Sequence, residues 1–148
     1  MRRVYYSYGE FIKDLKSLVN IIDIEFDTII GIARGGLTIS HFLGEHFNIR
    51  KVYSINSIGY SETKKLNSIE VFNIPDLNRS KRVLIVDDIV DSGDTLIKIL
   101  KILNTKYSHL QIYTSSIFYK KKSAKLKPDF YIKETKDWID FFWSVDLN

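Results

Sequence analysis

Four branched apolar residues, Val83-Leu84-Ile85-Val86, run unbroken into two adjacent carboxylates, Asp87 and Asp88. A third carboxylate, Asp91, and a Ser92-Gly93-Asp94-Thr95 turn follow, and then Leu96, Ile97, Leu100 and Leu103 recur at helical intervals. A short continuous apolar run bounded by turn residues suits a strand buried on both faces, which requires helices above and below a mainly parallel sheet. Acids where such a strand leaves the sheet put charge in the crevice where open α/β sheets bind ligands. The Ser-Gly-Asp-Thr turn presents hydroxyls and backbone N–H groups at the start of a helix over Asp94 to Lys106, a natural seat for an anion. Taken singly, Asp and Ser are common caps and turn formers. Their order directly after a buried strand is what points to a site.

The rest of the chain repeats the alternation. Ser7 and Glu10 have capping-box spacing before a first helix that ends near Asn20. Thr28-Ile29-Ile30-Gly31-Ile32 reads as a buried strand running into Ala33-Arg34-Gly35-Gly36, with a helix from Leu37 to Phe47 after it. Lys51 to Ile55 is a second strand, and the polar stretch Asn56 to Asn67 reads as a lid-like loop. Ile69 to Phe72 forms a short strand beside that loop, and Gln111 to Phe118 and Phe130 to Lys133 complete the set. Strands alternating with helices predict an α/β fold with a central, mainly parallel sheet covered on both faces. At 148 residues the chain is expected to form a single domain, 1–148.

Composition narrows the setting. The chain has no cysteine, which excludes disulfides and thiol chemistry. The start, Met1-Arg2-Arg3-Val4-Tyr5-Tyr6-Ser7, has no apolar core of a signal peptide, and no apolar stretch is long enough to span a bilayer. A cytoplasmic protein is expected. Net charge is +4, with an excess in Lys120, Lys121, Lys122, Lys125 and Lys127 that reads mainly as a solvated face. A mildly basic surface also attracts small polyphosphates.

The loop Gly31-Ile32-Ala33-Arg34-Gly35-Gly36-Leu37 carries a second anion signal. Its glycines allow close backbone approach to a ligand, and Arg34 offers a planar fork for phosphate oxygens. Neither this loop nor the later one is a Walker A or a Gly-x-Gly-x-x-Gly fingerprint. Two anion loops at one sheet edge, with acids between them, instead suggest a substrate with phosphates at two ends.

Val83 to Thr95 resembles the phosphoribosyl-pyrophosphate signature of type I phosphoribosyltransferases, and Ala33-Arg34-Gly35-Gly36 resembles that family's pyrophosphate loop. Phe118-Tyr119-Lys120 and Trp138-Ile139 are similar to the purine-site segments of the bacterial xanthine-guanine members. The resemblance implies the type I fold with a small hood from the C-terminal segment. It implies a Mg²⁺-dependent transfer of the phosphoribosyl group from phosphoribosyl pyrophosphate to a free 6-oxopurine base in purine salvage, within a dimer or tetramer. On this pattern Asp87 and Asp88 hold the ribose hydroxyls, directly or through Mg²⁺, and Asp91 lies near purine N7 as general base. Asp91, Ser92, Gly93, Asp94 and Thr95 wrap the 5′-phosphate, while Arg34, Gly35 and Gly36 contact pyrophosphate after a cis peptide at Ala33–Arg34. Lys120 donates to purine O6, Trp138 stacks on the base, and the Ile139 carbonyl accepts from an exocyclic group. Asp94 stands where the xanthine-guanine enzymes usually carry Gly, so its side chain is expected to face away from phosphate. Lys64 or Lys65 either reaches the pyrophosphate or stays solvated, and Trp138 is equally open to plain core packing. A regulator that senses the phosphoribosyl compound and binds nucleic acid is the alternative, supported by the lysine run alone. Transfer to a pyrimidine lacks support at Lys120 and Trp138.

Overall fold

A computed structural model describes residues 1–59 and 68–148; Lys64, Lys65 and most of the expected lid lie outside the described residues. In chain order the elements are β1 (Arg3–Tyr6), α1 (Tyr8–Ile21), β2 (Thr28–Ala33), α2 (Gly35–Phe47), β3 (Lys51–Gly59), β4 (Ile69–Phe72), β5 (Arg82–Val90), α3 (Asp94–Lys106), β6 (Gln111–Tyr119), β7 (Phe130–Glu134) and β8 (Trp138–Phe141). Among the described residues, six strands form one sheet in the order β4-β3-β2-β5-β6-β7. Every pairing in it is parallel except that of β3 with β4.

The apolar residues of the central strands divide by parity. Ile29, Leu84 and Val86 pack with Phe11, Leu15 and Leu18 of α1 and Ile39 and Leu43 of α2. Ile30, Ile32, Val83 and Ile85 pack with Leu96, Ile99 and Leu103 of α3. Because successive strand residues point to opposite faces, an unbroken apolar run is what a strand between two helical layers needs. The capping box at α1 is present: Ser7 Oγ accepts from the Glu10 N–H at 3.2 Å, and Glu10 Oε2 accepts from the Ser7 N–H at 2.8 Å.

Strand order places the site. From β2 the chain turns one way to β3, and later returns to lay β5 on the other side of β2. The gap between the ends of β2 and β5 is therefore the topological switch point, where crevices open in such sheets. Register sharpens this. Strand β2 pairs with β5 only from Thr28–Gly31 against Val83–Val86, whereas β5 continues beside β6 to Val90. The sequence reading stopped the strand at the acids; instead Asp87 and Asp88 lie within it, because β6 goes on offering partners at Ser116, Phe118 and Tyr119.

The hood also differs from expectation. It is a two-stranded parallel sheet of β1 with β8, in register Arg3↔Trp138 to Tyr6↔Phe141, rather than the C-terminal segment alone. Tyr6 anchors it: the ring packs edge-on against Phe118 and Phe141, and the hydroxyl donates to Asp14 Oδ2 of α1 at 2.7 Å. Lys133 of β7 meets the same carboxylate at 2.8 Å. Among the described residues, no helix is long and apolar enough to cross a membrane.

Candidate active site

The β2–α2 loop lies flat on β5. A Cβ on Gly36 would fall 2.2 Å from the Val86 carbonyl oxygen, and one on Gly35 would fall 2.0 Å from Asp88 Oδ2. No side chain fits at either position. The Ala33–Arg34 peptide is cis, and Arg34 is exposed and lines neither of the two cavities described below.

Opposite this loop, the two acids of β5 hold their own backbone. Asp87 Oδ1 accepts from the Asp88 N–H at 2.9 Å, and Asp88 Oδ1 from the Ile89 N–H at 2.7 Å. Burial pushes the Asp87 carboxyl well above its ordinary pKa, and the adjacent Asp88 charge pushes it further. Burial raises Asp88 as well. Both are partly buried carboxylates that form no ion pair among the described residues, which is the setting a hard cation relieves. Among the described residues no group of three or more His, Cys, Asp or Glu gathers to cage a metal. Two carboxylates nevertheless fit Mg²⁺, which typically keeps waters and takes substrate phosphates for its remaining ligands.

Beyond Val90 the chain turns at Gly93, whose φ of 81° is the left-handed conformation that glycine adopts without strain. Ser92 Oγ accepts from the Asp94 N–H at 3.2 Å, and among the described residues no side chain takes the Thr95 or Leu96 N–H, so those first-turn amides remain for a ligand. A cavity of about 220 Å³ sits here, lined by Asp87, Ile89, Asp91, Ser92, Gly93 and Thr95 among others. Asp94 turns away from it. Its carboxylate is buried and meets Lys125 Nζ at 2.8 Å.

A second cavity, of about 540 Å³, lies under the hood, with Asp88, Ile89, Asp91, Lys120, Trp138 and Ile139 in its wall. It shares Ile89 and Asp91 with the first. Lys120 is 7% exposed and donates to Asp91 Oδ2 at 3.0 Å, while Ser123 Oγ donates to Asp91 Oδ1 at 3.3 Å. Trp138 is 52% exposed, so it is not a core residue, and its Nε1–H donates to Asp140 Oδ1 at 3.1 Å. Arg3 clasps that carboxylate with Nε at 3.0 Å and Nη2 at 2.6 Å, and holds the Asp140 carboxyl below its ordinary pKa.

The structure thus brings Asp87, Asp91, Ser92, Gly93 and Thr95 to one cavity and Asp88, Asp91, Lys120, Trp138 and Ile139 to the other, with Gly35 against Asp88. Asp94 contributes only its place in the turn. Most of the lysine run is the solvated face expected: Lys121, Lys122, Lys125 and Lys127 are exposed, Lys121 and Lys125 pairing with Glu134 and Asp94, and Lys120 alone is buried, against Asp91. Sequence reasoning missed Arg3 and Asp140 in the wall of the larger cavity. The two-residue spacing of Trp138 and Asp140 on a strand was a usable signal for Asp140, since such residues share a face. Nothing local marked Arg3.

Comparison with known proteins follows the same lines. The phosphoribosyl transferase domain model matches residues 8–148. The xanthine-guanine phosphoribosyltransferase of Cereibacter sphaeroides is 32% identical over 123 residues, covering 80% of this chain and 70% of that protein. Its counterpart from Idiomarina loihiensis is 26% identical over 126 residues, covering 84% and 74%. Among solved structures, the xanthine-guanine-hypoxanthine phosphoribosyltransferase of Helicobacter pylori superposes with a TM-score of 0.89 at 41% identity, covering 99% of this chain and 96% of that one. The purine phosphoribosyltransferase of Pyrococcus horikoshii gives 0.81 at 28% identity, with 97% and 94% covered.

Proposed function

Because the chain belongs to the phosphoribosyl transferase family, we propose that it moves the 5-phosphoribosyl group of phosphoribosyl pyrophosphate onto a 6-oxopurine base, releasing pyrophosphate, in purine salvage. Guanine, xanthine and hypoxanthine are the bases this reading admits, in keeping with the names of the relatives. The observation that carries it is the pair of cavities joined at Ile89 and Asp91, one at an uncapped helix N-terminus and the other faced by Trp138 and Lys120.

In this assignment the 5′-phosphate occupies the smaller cavity, taking main-chain donors and hydroxyls from Ser92 to Thr95. The ribose hydroxyls meet Asp87 and Asp88. The pyrophosphate lies along the Gly35–Gly36 backbone, which the missing side chains let settle against β5 beside Asp88, and the Arg34 guanidinium binds its oxygens. Asp87 and Asp88 would hold Mg²⁺, which when bound neutralises charge on the departing pyrophosphate. Arg34 opposes the same developing charge, which is largest in the transition state.

The base enters the larger cavity and stacks on Trp138, its exocyclic group donating to the Ile139 carbonyl. Lys120 has three protons on Nζ; one is committed to Asp91, leaving others for purine O6. Asp91 stands where the cavities meet and takes the imidazole proton of the base as the bond to C1′ forms. The hood shields that carbon from water, so the purine rather than water attacks.

A substrate so highly charged does not cross bilayers unaided, which favours a cytoplasmic setting. Family likeness also favours a homo-oligomer, dimer or tetramer, for which light scattering is the test. For the reaction itself the test is incubation with labelled phosphoribosyl pyrophosphate, Mg²⁺ and each of guanine, xanthine, hypoxanthine, adenine and uracil. Nucleotide and pyrophosphate are expected with the 6-oxopurines. Nucleotide from uracil alone, or from none of the bases, would overturn the reading.

A further inference from the structure

A solvent-exposed ion pair contributes little to stability, because water screens it and ordering two side chains costs rotamer freedom. One is nevertheless built into the wall of the larger cavity. Arg3 and Asp140 pair there with side chains 70% and 36% exposed. The geometry is the planar bidentate kind that fixes direction as well as distance. Asp140 Oδ1 receives both the Arg3 Nη2–H and the Trp138 indole N–H, at 2.6 and 3.1 Å.

Trp138 is half-exposed, so packing on one side alone does little to hold the plane of its ring. Its single polar atom is pinned instead. The pin is itself fixed from β1, because Arg3 is the register partner of Trp138 and reaches across to Asp140 two residues further along β8. An aromatic platform held this way is preorganised before the base arrives, which spares binding the cost of ordering the ring.

We propose that Arg3 is a positioning residue of the base site: through Asp140 it sets the plane of the Trp138 ring on which the purine stacks. This rests on the base-stacking role given to Trp138 above. Arg3 touches no reacting atom, so its loss acts on base binding and leaves the sugar donor alone.

The test uses the full-length protein with Arg3→Ala and Arg3→Lys. In Arg3→Ala the KM for the purine base rises about fivefold, the value of one net hydrogen bond, while kcat and the KM for phosphoribosyl pyrophosphate stay within about twofold. Arg3→Lys falls between the two, since an ammonium keeps the charge and loses the fork. A second measurement needs no turnover. The Trp138 indole N–H resonance, assigned by its disappearance in Trp138→Phe, exchanges with water faster in ligand-free Arg3→Ala than in the parent protein. An unchanged exchange rate overturns the proposal, and so does faster exchange with an unchanged base KM or an equal rise in both KM values. If the parent protein turns over no base at all, the functional reading falls, and the exchange rate still decides whether Arg3 holds the ring.

Discussion

Replacing Gly35 by alanine displaces the Asp88 carboxylate and so tests its place in the reaction. The added Cβ would sit 2.0 Å from Asp88 Oδ2, 2.3 Å from Cγ and 2.8 Å from Oδ1, so the whole carboxylate must give way. Restoring an ordinary contact means moving it about 1 Å or more, and the Asp88 Oδ1 bond to the Ile89 N–H at 2.7 Å is lost in the process. A hydrogen bond to a charged acceptor contributes roughly 1.5–3 kcal/mol. Misplacing a catalytic group by about 1 Å costs on the order of 100-fold in rate. We therefore expect kcat/KM for phosphoribosyl pyrophosphate to fall about 100-fold in Gly35→Ala. The KM for the base should hardly change. Gly36→Ala meets backbone instead, the Val86 carbonyl at 2.2 Å, and should lower Tm as well as activity. Gly9→Ala, whose Cβ meets nothing closer than Ser7 Oγ at 3.9 Å, is the control and leaves activity unchanged. Steady-state kinetics with either substrate varied, alongside thermal unfolding, read all three. A Gly35→Ala protein with kcat/KM within about twofold of the parent would refute the placement of Asp88 in the reaction.

Asp88→Asn removes a charge where the sugar and Mg²⁺ are placed, and turnover should fall about 100-fold, read in the same assay. Trp138→Ala should raise the KM for base about tenfold, the scale of one base–aromatic stack, with the KM for the sugar donor unchanged. The third prediction concerns pH. The folded Asp87 carboxyl binds its proton more tightly than the unfolded one, because burial and then Asp88 raise its pKa. The folded state thus carries the extra proton from the ordinary aspartate range up to the raised value, and stability from this group falls as pH climbs through that window. Asp87→Asn should flatten the decline and give the higher Tm above it. Tm measured against pH for parent and variant, without ligands, checks the sign; a steeper decline in the variant would contradict it.

The central strand and its turn were legible because their signals are local. An unbroken apolar run can only be buried on both sides, and the turn after Asp91 begins α3 at Asp94 as expected. What escaped was non-local. Arg3-Val4-Tyr5-Tyr6 is too short to announce a strand, and its parallel partner lies at the other end of the chain. Lys120 looks like one more member of a solvated run until Asp91, from the turn before α3, is folded against it and buries it. The reach of β5 past its acids was likewise set by the length of its neighbour β6, which no pattern within β5 records.

The most direct test of the account is a crystal structure of the protein with its purine nucleotide product. The 5′-phosphate should lie on the main-chain amides of Ser92 to Thr95, the ribose beside Asp87 and Asp88, and the base against Trp138 with its O6 toward Lys120. A nucleotide with its phosphate seated elsewhere, or its base away from the hood, would contradict the account.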